Sequence, residues 1–129
     1  MNNTLSAAWA FEAEAAEAAD TIGREPGRSW IPPILGVLVA AVRLTSLARL
    51  YPFTSHNRFC LSDGPQWWAG QGEIAPAFVA LDPEAGFTVW RGKPYDASAS
   101  MTMTTSKQEA AAAALAELLS AWPHAGPTS

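Results

Sequence analysis

The polar groups with the most chemical scope crowd into one stretch, Leu50-Tyr51-Pro52-Phe53-Thr54-Ser55-His56-Asn57-Arg58-Phe59-Cys60, which carries a phenol, hydroxyls, an imidazole, a guanidinium and the chain's one thiol. Imidazole suits general acid–base work near neutral pH, which makes His56 the candidate catalytic group, with Tyr51, Arg58 and Asp63 as its helpers. Ser55 and His56 are adjacent, so on a strand they point to opposite faces and do not form a nucleophile–base pair. A triad would need Asp63 or Asp96 to fold back, and no nucleophile-elbow spacing is present. The plainer expectation is that Ser55 or Thr54 fastens a turn while His56 bonds to a backbone group there. Cys60 falls on the same strand face as His56 and Arg58. Arg58 could draw its thiol toward ionisation, but a buried, inert cysteine is the commoner case. The two histidines, His56 and His124, lie far apart and no metal-ligand spacing occurs, so neither a metal nor a cofactor is expected.

A second set of residues points to binding rather than catalysis. Trp67 and Trp68 are adjacent in a loop, and Trp30 and Trp90 add two more indoles. Each such ring has roughly 150–250 Å² to bury. Neighbouring rings on an extended loop cannot both enter one core, so at least one is expected to cover a groove or an interface. Arg58, Arg91 and Trp90 on nearby strands would supply its anchors. The competing expectation is that both rings cap the open sheet face of their own chain. Arg24, Arg28 and Trp30 form a further loop set suited to an anion or a flat ring, and the plainer expectation is that Trp30 plugs the edge of the core.

These groups must be positioned by a small number of elements. Residues 4–19 read as a helix in which Glu12, Glu14 and Glu17 alternate with alanine and only Trp9 and Phe11 are large and apolar. So thin a face predicts a helix that docks weakly or pairs with another chain. Residues 21–33 are a linker broken by Gly23, Pro26, Gly27, Pro32 and Pro33. Residues 33–50 read as the central helix, with Leu35, Leu38, Val39, Val42 and Leu50 at helical spacing, Ile34, Val37, Ala41 and Leu44 widening the face, and Pro52 ending it. Strands are expected at 57–61, 77–81, 87–91 and 98–104. The alternation Met101-Thr102-Met103-Thr104 puts both methionines inward. Turn chemistry separates the strands at Ser62-Asp63-Gly64-Pro65 and Asp82-Pro83-Glu84-Ala85-Gly86. Ser106-Lys107-Gln108-Glu109 reads as a capping box that opens a last helix with a stripe of Leu115, Leu118, Leu119 and Trp122. The order predicts an α+β fold: a four-stranded antiparallel meander sheet packed against a central and a C-terminal helix, with an extra N-terminal helix, all in one domain over 1–129.

Composition narrows the partners. The net charge is −4 and lysine and arginine form no stripe, so no nucleic-acid footprint is expected. The apolar run 31–42 is too short to span a membrane, the first residues lack a basic leader, and a single cysteine allows no internal disulfide, which together predict a soluble, cytoplasmic protein. A homo-oligomer formed through the N-terminal helix is a further expectation.

Leu50-Tyr51-Pro52-Phe53-x-Ser55-His56, the strand position Phe59, the hairpin Asp82…Gly86-Phe87-x-Val89 and the ending Trp122-Pro123-His124-Ala125-Gly126-Pro127 together resemble an uncharacterised actinobacterial domain family whose members are labelled natural product biosynthesis proteins. The resemblance covers about 35–127 and leaves residues 1–30 outside it. The chain departs from the family pattern after the Phe59 strand, where Cys60-Leu61-Ser62-Asp63 and the Trp67-Trp68 loop replace a short Cys-Thr-type segment. The resemblance implies a cytoplasmic accessory role in a secondary-metabolite pathway, such as one that makes a modified peptide, and it supplies no catalytic residues. Three functions remain open at this level. One is a binding or scaffold module for a peptide, a small metabolite or a partner biosynthetic enzyme. Another is a small cofactor-independent enzyme using His56. The third is an acidic immunity-type protein that blocks a basic toxin.

Overall fold

The computed structural model describes residues 3–26, 32–65 and 69–123. Among them the chain runs α1 (Asn3–Gly23), α2 (Leu35–Arg43), a 3₁₀ turn (Ser46–Arg49), β1 (Tyr51–Ser55), β2 (Arg58–Ser62), β3 (Ala77–Asp82), β4 (Gly86–Arg91), β5 (Ser100–Thr105) and α3 (Gln108–Leu118). The class is α+β, with the strands in one antiparallel meander in the order β1-β2-β3-β4-β5. The sheet has five strands rather than four, because the segment Tyr51–Ser55, between the expected central helix and the first expected strand, is itself a strand. Pro52 is not what ends the helix: α2 stops at Arg43, Leu50 is already extended (φ −109°, ψ 167°), and the chain pairs onward with Pro52 opposite Leu61. An edge strand is where a sheet can hold a proline without losing a ladder bond.

The helices share one face of this sheet. Phe59, Leu61, Val79, Leu81, Phe87 and Val89 meet Leu38, Val39, Val42, Leu47, Leu115 and Leu119 in a single buried cluster. The central helix is shorter than its apolar pattern predicts. Thr45 takes an extended conformation (φ −98°, ψ 179°) and its hydroxyl accepts from the Leu47 N–H at 3.1 Å, so the chain restarts as a 3₁₀ turn. Leu44 is left 89 % exposed and Val37 is also wet, so neither widens the buried face.

Helix α1 docks firmly on its own chain, contrary to its thin apolar pattern. Its buried positions are Trp9, Glu12, Ala16 and Asp20, spaced by three, four and four residues, and two of them are carboxylates. Trp9 Nε1 donates to the Leu50 carbonyl at 3.0 Å and to the Ala48 carbonyl at 3.2 Å. Asp20 accepts from the first amides of α2, at 3.0 Å from Leu35 and 2.8 Å from Gly36. Polar groups thus make the contacts that apolar counting looks for, which is why the docking was not legible.

Two smaller expectations also fail for local reasons. The β4–β5 register shifts at Val89/Trp90, so Val89 faces Met103 while Trp90 faces Met101. The irregularity breaks the two-residue alternation. Met103 packs against the core, whereas Met101 is 53 % exposed on the opposite face. The capping box does not form. Lys107 takes the N-cap position without a side-chain bond, its N–H donates to Thr105 Oγ1 at 3.1 Å, and Glu109 accepts instead from Gln108 Nε2 at 3.0 Å. The stripe of α3 is as its spacing predicts, with Leu115 and Leu119 buried and Leu118 and Trp122 against the core.

Candidate functional site

The sheet face away from the helices carries a groove of about 460 Å³, lined by Arg58, Phe78, Asp82, Trp90, Tyr95 and Met101 among others. Strand alternation places these groups. Arg58 pairs with Ala80, Phe78 with Trp90, and Trp90 with Met101, so one face collects the polar and aromatic positions while the helices take the rest. Phe78 and Trp90 stack with planes 4° apart and centroids 5.8 Å apart. Trp90 Nε1 donates to Thr88 Oγ1 at 2.9 Å, which fixes the indole edge.

The roof of the groove comes from the β4–β5 connection. Gly92 starts it at φ +117°, and a Cβ there would meet Ala99 Cα at 2.8 Å, so only glycine lets the ends of the loop close. Asp96 tightens the loop by accepting at Oδ1 from the Ser98 N–H and hydroxyl, both at 2.9 Å, and these bonds hold its carboxyl below the usual range. Asp82 behaves alike at the β3–β4 turn: it accepts from Ala85 and Glu84 amides, each at 2.8 Å, and is likewise held low. The loop carries Tyr95 back over β2. Its ring lies over the Arg58 guanidinium, 4.5 Å from ring centre to Cζ, and Phe78 flanks the same guanidinium at 5.9 Å. Among the described residues no hydrogen bond or ion pair occupies that guanidinium. Ring contact orients it and leaves its N–H donors for a ligand.

At the groove's edge the Tyr95 hydroxyl sits 2.6 Å from His56 Nδ1 and 2.8 Å from Ser55 Oγ. If Tyr95 donates to the imidazole, the Ser55 hydroxyl donates to Tyr95, forming a short chain of three groups. His56 and Tyr95 both hold positive φ, 56° and 70°, a conformation side chains other than glycine seldom adopt. His56 therefore belongs to the β1–β2 turn and not to a strand face. The phenol, rather than a carboxylate, is the group that contacts it.

The structure brings part of the expected set together. His56 and Arg58 meet the same tyrosine, one through its hydroxyl and the other through its face. Tyr51 lies at the far end of β1, opposite Ser62. Asp63 accepts from the Glu73 N–H at 2.7 Å in the connection after β2. Neither lines the groove with Arg58 and Tyr95. Of the expected binding residues, Trp90 forms the groove floor. Arg91 is on the helix side, near Pro76, Glu117 and Leu118. Trp30, Trp67 and Trp68 lie outside the described residues. Sequence reasoning missed Tyr95, Phe78 and the place of Asp82 and Asp96 in the groove wall, although it read Asp82 as a turn residue. Phe78 was open to detection, since it has the strand parity of Ala80, which faces Arg58.

Cys60 takes no part. It is fully buried, and burial pushes its thiol up to about 12, the Arg58 charge only partly opposing that and the Glu12 charge adding to it. In the folded protein, alkylation by iodoacetamide is expected to run roughly a hundredfold or more slower than at an exposed thiol. Rapid labelling without unfolding, read by mass spectrometry, would contradict this.

The fold and groove define an α+β protein with three helices on one face of an antiparallel meander and an aromatic, arginine-bearing groove on the other. No family model, curated protein or solved structure matches the chain. Among the described residues, no helix is long and apolar enough to cross a membrane, and no group of three or more His, Cys, Asp or Glu could hold a metal ion.

Proposed function

We propose that the chain is a binding module of a secondary-metabolite pathway, whose open-face groove holds a peptide or small metabolite that carries an aromatic ring and an acidic group. The observation that carries this is the guanidinium of Arg58, set between Tyr95 and Phe78 with no acceptor among the described residues, in a groove of about 460 Å³. A groove of that volume is in the range that encloses small ligands. The ligand ring would lie against Trp90 and Met101, and its carboxylate would take paired donors from Arg58. Asp82 and Asp96 at the rim disfavour a second anionic group and orient the acidic end toward Arg58. The pathway assignment rests on the resemblance in Leu50-Tyr51-Pro52-Phe53-x-Ser55-His56.

Indole-3-acetate and its neutral amide serve as probes, with binding followed by NMR shift titration. The acid is expected to bind at least about tenfold more tightly than the amide, and Arg58→Gln is expected to erase that preference. Equal binding of acid and amide to the intact protein would remove the basis of the proposal.

The contact of Tyr95 with His56 and Ser55 favours a second reading, a small enzyme in which His56 moves a proton and Tyr95 orients it. His56→Ala separates the two. Retained probe binding and full pathway output with this variant end the enzyme reading, whereas retained binding with lost output supports it.

A further inference from the structure

A second concavity lies at the other end of β1, between that strand and α1. It has a volume of about 330 Å³ and is lined by Phe11, Glu12, Tyr51, Phe53 and Pro65 among others. Most of its wall is ring and hydrocarbon, and Phe11 is 71 % exposed beside it. Thr54 and Ser62 add hydroxyls, and the charged group among the described lining is Glu12, a carboxyl only 5 % exposed. One of its oxygens, Oε2, accepts from the Thr54 hydroxyl. The other has no protein donor among the described residues. Burial of a carboxyl with half of its acceptors unused is unfavourable unless something else uses them.

We propose that this groove is a binding site for a small hydrophobic primary amine, whose ammonium group pairs with Glu12 while its apolar body lies against Phe11, Tyr51 and Phe53. The site supplies acceptors and no cation, so it is complementary to a donor with positive charge. The rings around it add the attraction of their faces for a cation. The apolar wall requires that the rest of the ligand be apolar as well. The inference is independent of the open-face groove, which has the opposite charge preference.

The same geometry sets the pH dependence. Burial raises the Glu12 carboxyl above its ordinary value, the Thr54 bond only partly opposing this. Among the described residues the titratable groups facing it are Tyr51 from β1 and Cys60 from β2, and the thiol of Cys60, pushed up to about 12, stays neutral. Amine affinity is therefore expected to rise with pH as Glu12 ionises. Folding stability moves the other way. The unfolded chain loses this proton at lower pH than the folded one, so Glu12 disfavours the folded state increasingly as pH rises from about 4.5 through the raised value.

The probes are 2-phenylethylamine and its neutral isostere 2-phenylethanol, titrated into the full chain by calorimetry. The amine is expected to bind about tenfold or more tightly than the alcohol, with Glu12→Gln abolishing the difference. Gln retains an acceptor for Thr54, and the variant is expected to be more stable than the parent at neutral pH. The amine–alcohol comparison on the unaltered protein stands even if the variant does not fold. Equal affinity for the two probes overturns the proposal. So does amine binding that Trp90→Ala removes and Glu12→Gln leaves intact, since that would place the amine in the other groove.

Discussion

Replacing Trp9 by Ala is expected to destabilise the protein by about 4 kcal/mol, the largest loss from any single substitution considered. The indole is 1 % exposed and its ring lies 6.3 Å from that of Phe59 on the sheet. Truncation opens a cavity between α1 and β2. It also strips the carbonyls of Ala48 and Leu50 of the donor that reaches them from α1. Those carbonyls flank the passage from the 3₁₀ turn into β1, so Trp9 holds the point where the chain changes from helix to sheet. Trp9→Phe keeps most of the apolar contact and removes only the donor, and its expected cost is about 1–2 kcal/mol. Urea unfolding midpoints at unchanged slope measure both. A loss below about 1 kcal/mol for Trp9→Ala would mean that α1 is not part of the cooperative core.

Asp20→Ala is expected to cost about 2 kcal/mol. The N-cap of α2 is Ile34, which makes no side-chain bond, and the capping carboxylate arrives from a residue on α1 instead. It binds the Leu35 and Gly36 amides with separate oxygens, at the positive end of the helix. Gly36 leaves the room for this, because a Cβ there would lie 2.8 Å from Asp20 Oδ2. Gly36→Ala alone is therefore expected to destabilise by displacing the carboxylate. In the Asp20→Ala background the clash is gone and alanine's helix preference, about 1 kcal/mol over glycine, should make the same substitution stabilising. A double-mutant cycle reads this reversal of sign. Additive effects would show that the Asp20 carboxylate does not occupy the space over Gly36.

Much of the sheet was legible because its signals are local. The β3 and β4 alternations, the Asx turn at Asp82 and the stripe of α3 each need only neighbours within a few residues. The candidate site was legible in part. Arg58, His56 and Trp90 stand out by type, and the parity of β2 places Arg58 away from the core. Their convergence was not legible, because it depends on Tyr95 crossing from a loop some forty positions away to meet Ser55 and His56. The sequence around Tyr95 reads only as a turn. Met101 was misplaced because a register irregularity is set by the pairing of two strands and leaves no trace in one of them.

The residue order alone specifies the α+β class, three of the five strands closely, the last helix and the presence of an arginine on a face with aromatic neighbours. Local propensity and side-chain periodicity suffice for such features, since they act within one element. Packing between elements is what puts α1 in the core, caps α2 from another helix, makes Tyr51–Ser55 a strand, and turns Glu12 into a buried carboxyl in an apolar groove rather than a solvated surface charge. Each of these depends on contacts between residues distant in sequence, as when Trp9 donates to Leu50 or Thr54 to Glu12. Such pairings are fixed by how whole elements pack, and the identity of either partner alone does not reveal them.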